Sequence, residues 1–272
     1  MDMPLPDVRM PRWSPVETTC RGALRLLHGL STGETVKPDR LHRLRISVRR
    51  LQAWFELLGD HGTSRRLARR VSRLSRLRTL QVFEQWLVRQ QAAASDLRII
   101  REAIRDETER HVKEKTFHLI RATVETLGGR ARKPAPVHAK QVWNRHRATV
   151  TRLLRDAKAH PKRKRLHALR LALKQLRYRL EWTVPQTARQ RRVIFQLKKA
   201  QRCLGAYEEL AAFRKLANQF KMKSRPDIVT AWRHARKNAR RLSAATGQLR
   251  RSLDQLEDGT VAAAKGGHLR ES

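Results

Sequence analysis

Aromatic and acidic residues are both scarce in this chain of 272 residues. Aromatic residues make up 5% of it, and 24 acidic residues stand against 62 basic ones. Few aromatic rings leave few platforms on which nucleic-acid bases can stack. No apolar run approaches the roughly 18 residues that a transmembrane helix needs. The sequence therefore predicts neither a membrane-spanning protein nor one that binds nucleic acid chiefly by base stacking.

Cysteine is also rare. Cys20 and Cys203 have neither the spacing of metal ligands nor that of a disulfide framework, and they fit a reducing compartment. The segment from Met1 to Trp13 contains three prolines and has no apolar core of the kind found in signal peptides. We expect a soluble cytoplasmic protein.

What the chain has in excess is positive charge. Its formal net charge is +38, and 46 arginines outnumber 16 lysines. The planar guanidinium group matches phosphate oxygens better than an ammonium group does. Hydrophobic residues make up 40% of the chain, which is enough for a folded core. Because such a charge repels itself in a compact state, we expect a polyanion as the partner.

Apolar residues recur at the three-and-four spacing of α-helices throughout the chain. The clearest stripes are Leu41, Leu44, Val48 and Leu51, and Leu166, Leu169, Leu173 and Leu176. Further helices are predicted over 106–127 and 206–221, and no segment alternates convincingly as a strand. The predicted fold class is all-α.

Glycine and proline divide the chain near its middle. The run from Gly128 to Pro136 has the composition of a linker. The predicted segments are a flexible N-terminus (1–13), a first helical half (14–127), a linker (128–139), a second helical half (140–257) and a flexible tail (258–272).

The two halves share a motif at the start of one helix each. It reads Leu-His-x-Leu-Arg in both copies, beginning at Leu41 and at Leu166. Further on, a basic residue follows four positions after the arginine in each copy, and Glu56 matches Glu181. We interpret this as an internal duplication, which predicts two helical bundles related by a pseudo-twofold axis.

The motif places basic residues along one ridge of each helix, about 110° from the apolar stripe. The first ridge is His42, Arg45, Arg49 and Gln52, and the second ridge is His167, Arg170, Lys174 and Arg177. If the two helices face each other, the ridges line a cationic groove that grips successive phosphates. The alternative is that each ridge is an ordinary solvated face and each histidine a satisfied core residue.

Other basic residues follow each ridge. Seven arginines and no acid lie between 65 and 78, and Lys198, Lys199 and Arg202 hold a comparable place in the second half. They either extend the groove, bind nucleic acid or keep the protein soluble. The candidate phosphate-binding residues are His42, Arg45, Arg49, Arg50, Arg73, Arg78, His167, Arg170, Lys174, Arg177, Lys198 and Arg202.

At these residues the sequence resembles the CHAD family of histidine-containing α-helical domains. The second copy of the motif continues into Arg177-Tyr178-x-x-Glu181, the most specific part of the resemblance. The stretches 74–78 and 201–205 look like the family's Leu-Gly segments, and the resemblance covers roughly 14–256. It implies two four-helix bundles around a basic central cavity that binds inorganic polyphosphate, in proteins associated with polyphosphate granules.

The chain departs from the family pattern at four positions. Ser75 stands where a glycine is expected, Thr79 and Gln81 replace acidic residues, and Glu209 replaces an aspartate. We expect weaker contacts at a helix start and a cavity that is less neutralised from within.

No motif of catalysis or cofactor binding is present, whether a phosphate-binding glycine loop or His-Glu-x-x-His. Adjacent carboxylates such as Glu208 and Glu209 are typical of surface ion pairs. His111 and His118 lie seven apart on one predicted helix, without further ligands. We predict no enzyme, no metal site and no cofactor.

The function predicted from the sequence is non-catalytic binding of inorganic polyphosphate, in the cytoplasm or on polyphosphate granules. The alternative is a general RNA- or DNA-binding protein, because a charge of +38 attracts any polyanion. Binding of nucleic acid is expected to be nonspecific. The scattered tryptophans fit core anchors better than a membrane-binding face.

Overall fold

The apolar stripes of the sequence are helices in the computed structural model, which describes residues 15–31, 36–127, 136–182, 188–244, 249–251 and 253. These residues contain helices and no strand, so the all-α prediction is confirmed. None of these helices is long and apolar enough to cross a membrane. The helices are α1 (Pro15–Ser31), α2 (Pro38–Leu57), α3 (His61–Arg73), α4 (Ser75–Arg89), α5 (Ala94–Lys113), α6 (Thr116–Glu125), α7 (Pro136–Ala159), α8 (Arg163–Leu180), α9 (Ala188–Gln219) and α10 (Arg225–Ala244).

The helices that carry the repeated motif begin and bury their stripes as predicted. Pro38 opens α2 at a position where its missing N–H costs nothing, and Asp39 lies in the first turn. Both predicted apolar stripes are buried, namely the one that begins at Leu41 in α2 and the one that begins at Leu166 in α8. Each fully buried leucine contributes about 1.5–3 kcal/mol. Burial of the stripes fixes the direction in which the basic ridges point.

Two predicted helices have different bounds in the structure. The prediction of one helix over 106–127 is wrong. The helical conformation is interrupted between α5 and α6 at Lys115, which has a φ of 49°. The segment 206–221 is not a separate helix but the second part of α9, which continues through Gly205. A Cβ at Gly205 would lie 3.8 Å from the Nε atom of Arg170, so this glycine lies where α8 and α9 pack and does not end a helix.

Two cores correspond to the two halves of the chain. The first lies among α1, α2, α3 and α6, and the second lies among α7, α8, α9 and α10. Glu56 of α2 contacts Arg179 of α8, while Glu181 after α8 contacts Arg50 of α2. These reciprocal contacts fit a pseudo-twofold axis between α2 and α8, and the duplication itself stays a prediction.

A third core joins the halves and was not anticipated from the sequence. It contains residues of α4 and α5 together with the end of α9 and the start of α10. The rings of Phe83 and Phe213 stack in it with their centroids 4.7 Å apart. The buried carboxylate of Asp96 accepts hydrogen bonds from the backbone N–H groups of Lys223 and Ser224. The two halves are therefore packed together at a second place besides the α2–α8 contact.

The predicted linker and flexible termini fall largely outside the described residues. Of the linker 128–139, only residues from Pro136 onward are described, and these form the first turn of α7. The predicted flexible segments 1–13 and 258–272 are not described at all.

Candidate anion-binding groove

The two ridges lie beside each other where α2 packs against α8. Lys174 of the second ridge is close enough to Arg45 and Arg49 of the first that both guanidinium charges lower its pKa. Tyr178, one turn further along α8, is also within the electrostatic reach of both arginines. The region where the two ridges meet, which we call the groove, therefore holds cations from both halves of the chain.

Three arginines of the groove are oriented by neutral acceptors. Arg45 donates to the Val71 carbonyl at 2.9 Å and lies 3.3 Å from the Ser75 hydroxyl. Arg49 donates to the Gln52 amide oxygen at 2.8 Å, and Arg78 of α4 donates to the Pro38 carbonyl at 3.1 Å. In the described parts of the chain, no carboxylate lies within ion-pair distance of these three guanidinium groups. Neutral acceptors therefore fix their positions, and Glu209 and Asp39 act on Arg78 only from beyond ion-pair distance.

Burial perturbs the cations of the groove. Loss of hydration, together with the charge of Arg49, lowers the pKa of Arg45 to about 10, so that it stays charged at neutral pH. For Lys174, loss of hydration and four neighbouring guanidinium groups lower the pKa to about 7. At neutral pH this ammonium group is therefore partly deprotonated, and a bound anion would favour its charged form.

An aromatic ring lies beside two cations of the second ridge. The guanidinium carbon of Arg177 lies 4.7 Å from the centre of the Tyr178 ring, and the Nζ atom of Lys174 lies 5.9 Å from it. Arg177 also pairs with Glu181 at 3.4 Å. The ring attracts both cations and holds them on one wall of the groove.

A carboxylate of α9 lies among the cations of the groove. Loss of hydration around the carboxyl group of Glu209 in α9 raises its pKa, while Arg170, Arg78 and Arg89 act in the opposite direction. Arg78 and Arg89 lie within about 20° of each other around α4. Glu209 is therefore an internal counterion between α4, α8 and α9.

The two histidines of the repeated motif differ in their surroundings. His42 is exposed at the start of α2, and its pKa is lowered by loss of hydration, by Arg78 and by Lys174. The Nδ1 atom of His167 lies 2.9 Å from a carboxylate oxygen of Glu208. His42 therefore lies close to the cations of the groove, whereas His167 contacts Glu208 of α9.

The remaining candidates lie at the edges of the groove or away from it. Arg50 pairs with Glu181 at 3.3 Å, and Arg73 lines a surface cavity on α3. Lys198 and Arg202 are exposed on the face of α9 that also carries Gly205, within about 60° of it. Both lie before Gly205 along the chain, and the side chain of Arg170 packs against α9 at Gly205.

Buried contacts at the ends of α2 and α8 hold the two ridges together. Glu56 pairs with Arg179, which is 3% exposed, and with the Nε2 atom of His146 at 2.9 Å. The rings of Trp54 and Trp182 lie 5.1 Å apart. We call the contacts of Glu56, Arg179 and His146 the clamp.

Some residues of the groove were not among the candidates from the sequence. Arg89 and Tyr178 were missed as site residues, because their place depends on how α4 and α8 pack. Ser75, expected to be a glycine, accepts from Arg45. Gln81, which stands where the family has an acidic residue, donates to the Val36 carbonyl at 2.6 Å just before α2; the expectation of weaker contacts there stays a prediction.

The histidine pair considered for a metal is not on one helix. His111 is buried near the end of α5, and His118 is exposed on α6. The Nε2 atom of His111 lies 3.4 Å from Glu107, which also pairs with Arg76 and Arg110. Within the described ranges, no group of three or more histidine, cysteine or acidic residues is arranged to hold a metal ion.

Comparison with known proteins identifies one family. The family model described as the CHAD domain matches residues 21–218. The crystal structure of the CHAD domain from the plant Ricinus communis superposes on this chain with a TM-score of 0.60. The two are 16% identical, and the match covers 91% of this chain and 89% of that chain. No curated protein matches the sequence.

Proposed function

Because the chain belongs to the CHAD domain family, we propose that its groove binds inorganic polyphosphate without chemically changing it. The family is associated with polyphosphate binding in general. The groove offers what such a ligand requires, namely several cations in a row on a fixed scaffold. We further propose that binding takes place in the cytoplasm and places the protein on polyphosphate granules.

The observation that carries the proposal is the set of guanidinium groups held by neutral acceptors. Arg45, Arg49 and Arg78 are oriented by carbonyl, hydroxyl and amide oxygens and have no carboxylate within ion-pair distance among the described residues. A surface that served only solubility would mix both signs of charge. Guanidinium groups that neutral acceptors already orient lose little freedom when phosphate oxygens replace water.

Affinity would come from many weak contacts at once. Each phosphate that a guanidinium group neutralises releases a condensed counterion, so binding weakens as the salt concentration rises. Charge-assisted bonds from arginine to phosphate are short and directional. Longer chains would bind more tightly, because more phosphates engage one continuous site.

The guanidinium groups, which are most of the cations in the groove, favour binding over catalysis. Guanidinium groups donate hydrogen bonds but do not exchange protons near neutral pH. The carboxylate of Glu209 is surrounded by four cations. We therefore propose a binding role, with hydrolysis of the bound polymer as the outcome that would contradict it.

Replacing Arg45 and Arg170 together by alanine tests the groove. Both cations lie in the groove, so the double variant would bind long-chain polyphosphate about 100-fold more weakly, at about tenfold for each lost contact. The matched control is Arg98→Ala with Arg233→Ala, two exposed arginines on α5 and α10. The control would lose less than about threefold, because screened charges contribute little. Equal losses in both double variants would show that polyphosphate does not bind in the groove.

A further inference from the structure

A second concentration of arginines lies on α3, away from the groove. Helix α3 carries five arginines and no acidic residue. Four of them share one face at spacings of three and four, and we call this face the α3 patch. The α3 patch consists of Arg66, Arg69, Arg70 and Arg73.

The α3 patch and the groove lie on different sides of the same helix. Val71 accepts the hydrogen bond from Arg45 and is buried. Arg69 and Arg73 are exposed and lie about 160° from Val71 around the helix. The two sets of cations are therefore separated by the body of α3.

The α3 patch borders two cavities. One, of about 270 Å³, is lined by the four arginines alone. The other, of about 360 Å³, lies between α3 and α6 and is lined by Arg66 and Arg70 together with Leu119, Thr123 and other residues of that region. Because Arg66 and Arg70 line both, the cavities adjoin each other along the helix.

The charges of the α3 patch are not compensated within the described residues. No carboxylate in those ranges lies within ion-pair distance of Arg69, Arg70 or Arg73, and Arg66 donates to the Thr63 hydroxyl at 2.9 Å. Like charges four residues apart destabilise a helix. A bound anion would remove that repulsion, whereas an ordinary solvated face would contain acids in alternation.

The lining of the cavities indicates which anion fits. Neither cavity contains an aromatic side chain, so neither offers a surface for stacking a nucleic-acid base. The four arginines extend over about 10 Å along the helix axis. Such a row suits consecutive phosphates of an unbranched chain, each held by a guanidinium fork.

We infer that the α3 patch is a second binding site for an inorganic phosphate chain, so that one protein binds two separate chain segments. This inference rests on the proposed function of the groove, since it assigns the same ligand class to a second surface. Two sites on one protein would link separate polyphosphate chains into a network.

The test counts short polyphosphate chains bound per protein by native mass spectrometry at physiological salt. The chains are chosen too short to reach from one site to the other. We expect two chains on the unchanged protein and one on a variant with Arg66, Arg69, Arg70 and Arg73 replaced by glutamine. The smaller variant Arg69→Gln with Arg73→Gln, which keeps the Arg66–Thr63 bond, would also lose the second chain.

A charge-matched control separates the site from net charge. Arg98, Arg105, Arg155 and Arg233 are exposed on other helices, and their replacement by glutamine would leave two chains bound. Two chains on the α3 variants, or equal loss in the control, would overturn the second site. A groove variant that still binds two chains would instead contradict the proposed function of the groove.

Competition with an oligonucleotide of equal charge decides the ligand class. The groove variant Arg45→Ala with Arg170→Ala is used, because its one remaining polyphosphate chain is bound at the α3 patch. We expect the oligonucleotide to leave this chain in place. Displacement at equal charge would overturn the assignment to an inorganic phosphate chain and make the patch a general surface for phosphate backbones.

Discussion

At the scale of the residue, Lys174 is the most unusual group of the groove. It is surrounded by Arg170, Arg49, Arg45 and Arg177, and loss of hydration with these charges lowers its pKa to about 7. The unfolded chain would hold this proton up to its ordinary pKa of 10.5. The contribution of Lys174 to the stability of the free protein therefore rises with pH between about 7 and 10.5.

Binding has the opposite dependence on pH. A phosphate in the groove favours charged Lys174, so that binding takes up a proton above pH 7 and weakens as the pH rises. We expect the affinity for long-chain polyphosphate to fall between pH 7 and 8.5, by at most about tenfold per pH unit. Calorimetry in buffers of different ionisation enthalpy would measure the proton uptake directly.

The variant Lys174→Arg serves as the control for this dependence. Its guanidinium group stays charged throughout that range, so we expect no proton uptake and a flat affinity profile. An unchanged pH profile in this variant would show that another group carries the titration.

We expect Glu209 to limit the affinity of the groove for anions. Its carboxylate would compete with phosphate for Arg170 and Arg78, which both act on it. We expect Glu209→Gln to bind polyphosphate more tightly and to show a steeper salt dependence, by about 0.7 in the slope of log affinity against log salt. Fluorescence titrations over a salt series would measure both.

The matched substitution Glu102→Gln removes the same charge from an exposed position on α5. We expect it to change the affinity little, because screening weakens distant charges. If Glu209→Gln and Glu102→Gln have equal effects, Glu209 does not act inside the groove.

At the scale of the element, the clamp aligns α2 with α8. Arg179 is almost fully buried and compensates Glu56; its removal leaves that carboxylate with His146 alone. We expect Arg179→Leu to lower the free energy of unfolding by about 3 kcal/mol and to weaken polyphosphate binding, although Arg179 is not a groove residue. Urea unfolding followed by circular dichroism would measure the first effect.

The exposed pair of Arg152 and Asp156 provides the comparison, with a spacing of four residues on α7. Its loss in Arg152→Ala would cost about 0.3–0.5 kcal/mol. A cost this small for Arg179→Leu would contradict the clamp, because the buried pair would then be no more important than a surface one.

The helices themselves were largely predictable from the sequence. The stripes starting at Leu41 and Leu166 predict two helices and the faces that these bury, and the ridges follow because residues three and four apart share a face. The break at Lys115 was not predictable, since no glycine or proline marks it. The continuity of α9 was hidden by Gly205, which packs against α8 instead of ending a helix.

The composition of the groove was predictable only in part. The cations of the two ridges are visible in the repeated motif, whereas Arg89 and Glu209 enter the groove through the packing of α4 against α9. The third core, in which Phe83 meets Phe213, brings together residues that are far apart in the chain. Periodicity shows which face of a helix is apolar but not which helix covers it.

At the scale of the whole molecule, charge and architecture support one interpretation. A net charge of +38 attracts polyanions of every kind, and this property alone would not distinguish polyphosphate from nucleic acid. The groove adds a fixed arrangement, because α2, α4, α8 and α9 bring their cations close to one another. We propose that this arrangement of cations, and not the overall charge, selects the ligand.

A competition titration tests this claim most directly. Labelled long-chain polyphosphate is bound at two salt concentrations and challenged with DNA and RNA of matched charge. The groove predicts that nucleic acid competes poorly at both concentrations, because bases and sugars hinder its phosphates from entering between the ridges. Exchange of all three polymers at equal charge would contradict the claim and identify the protein as a general polyanion binder.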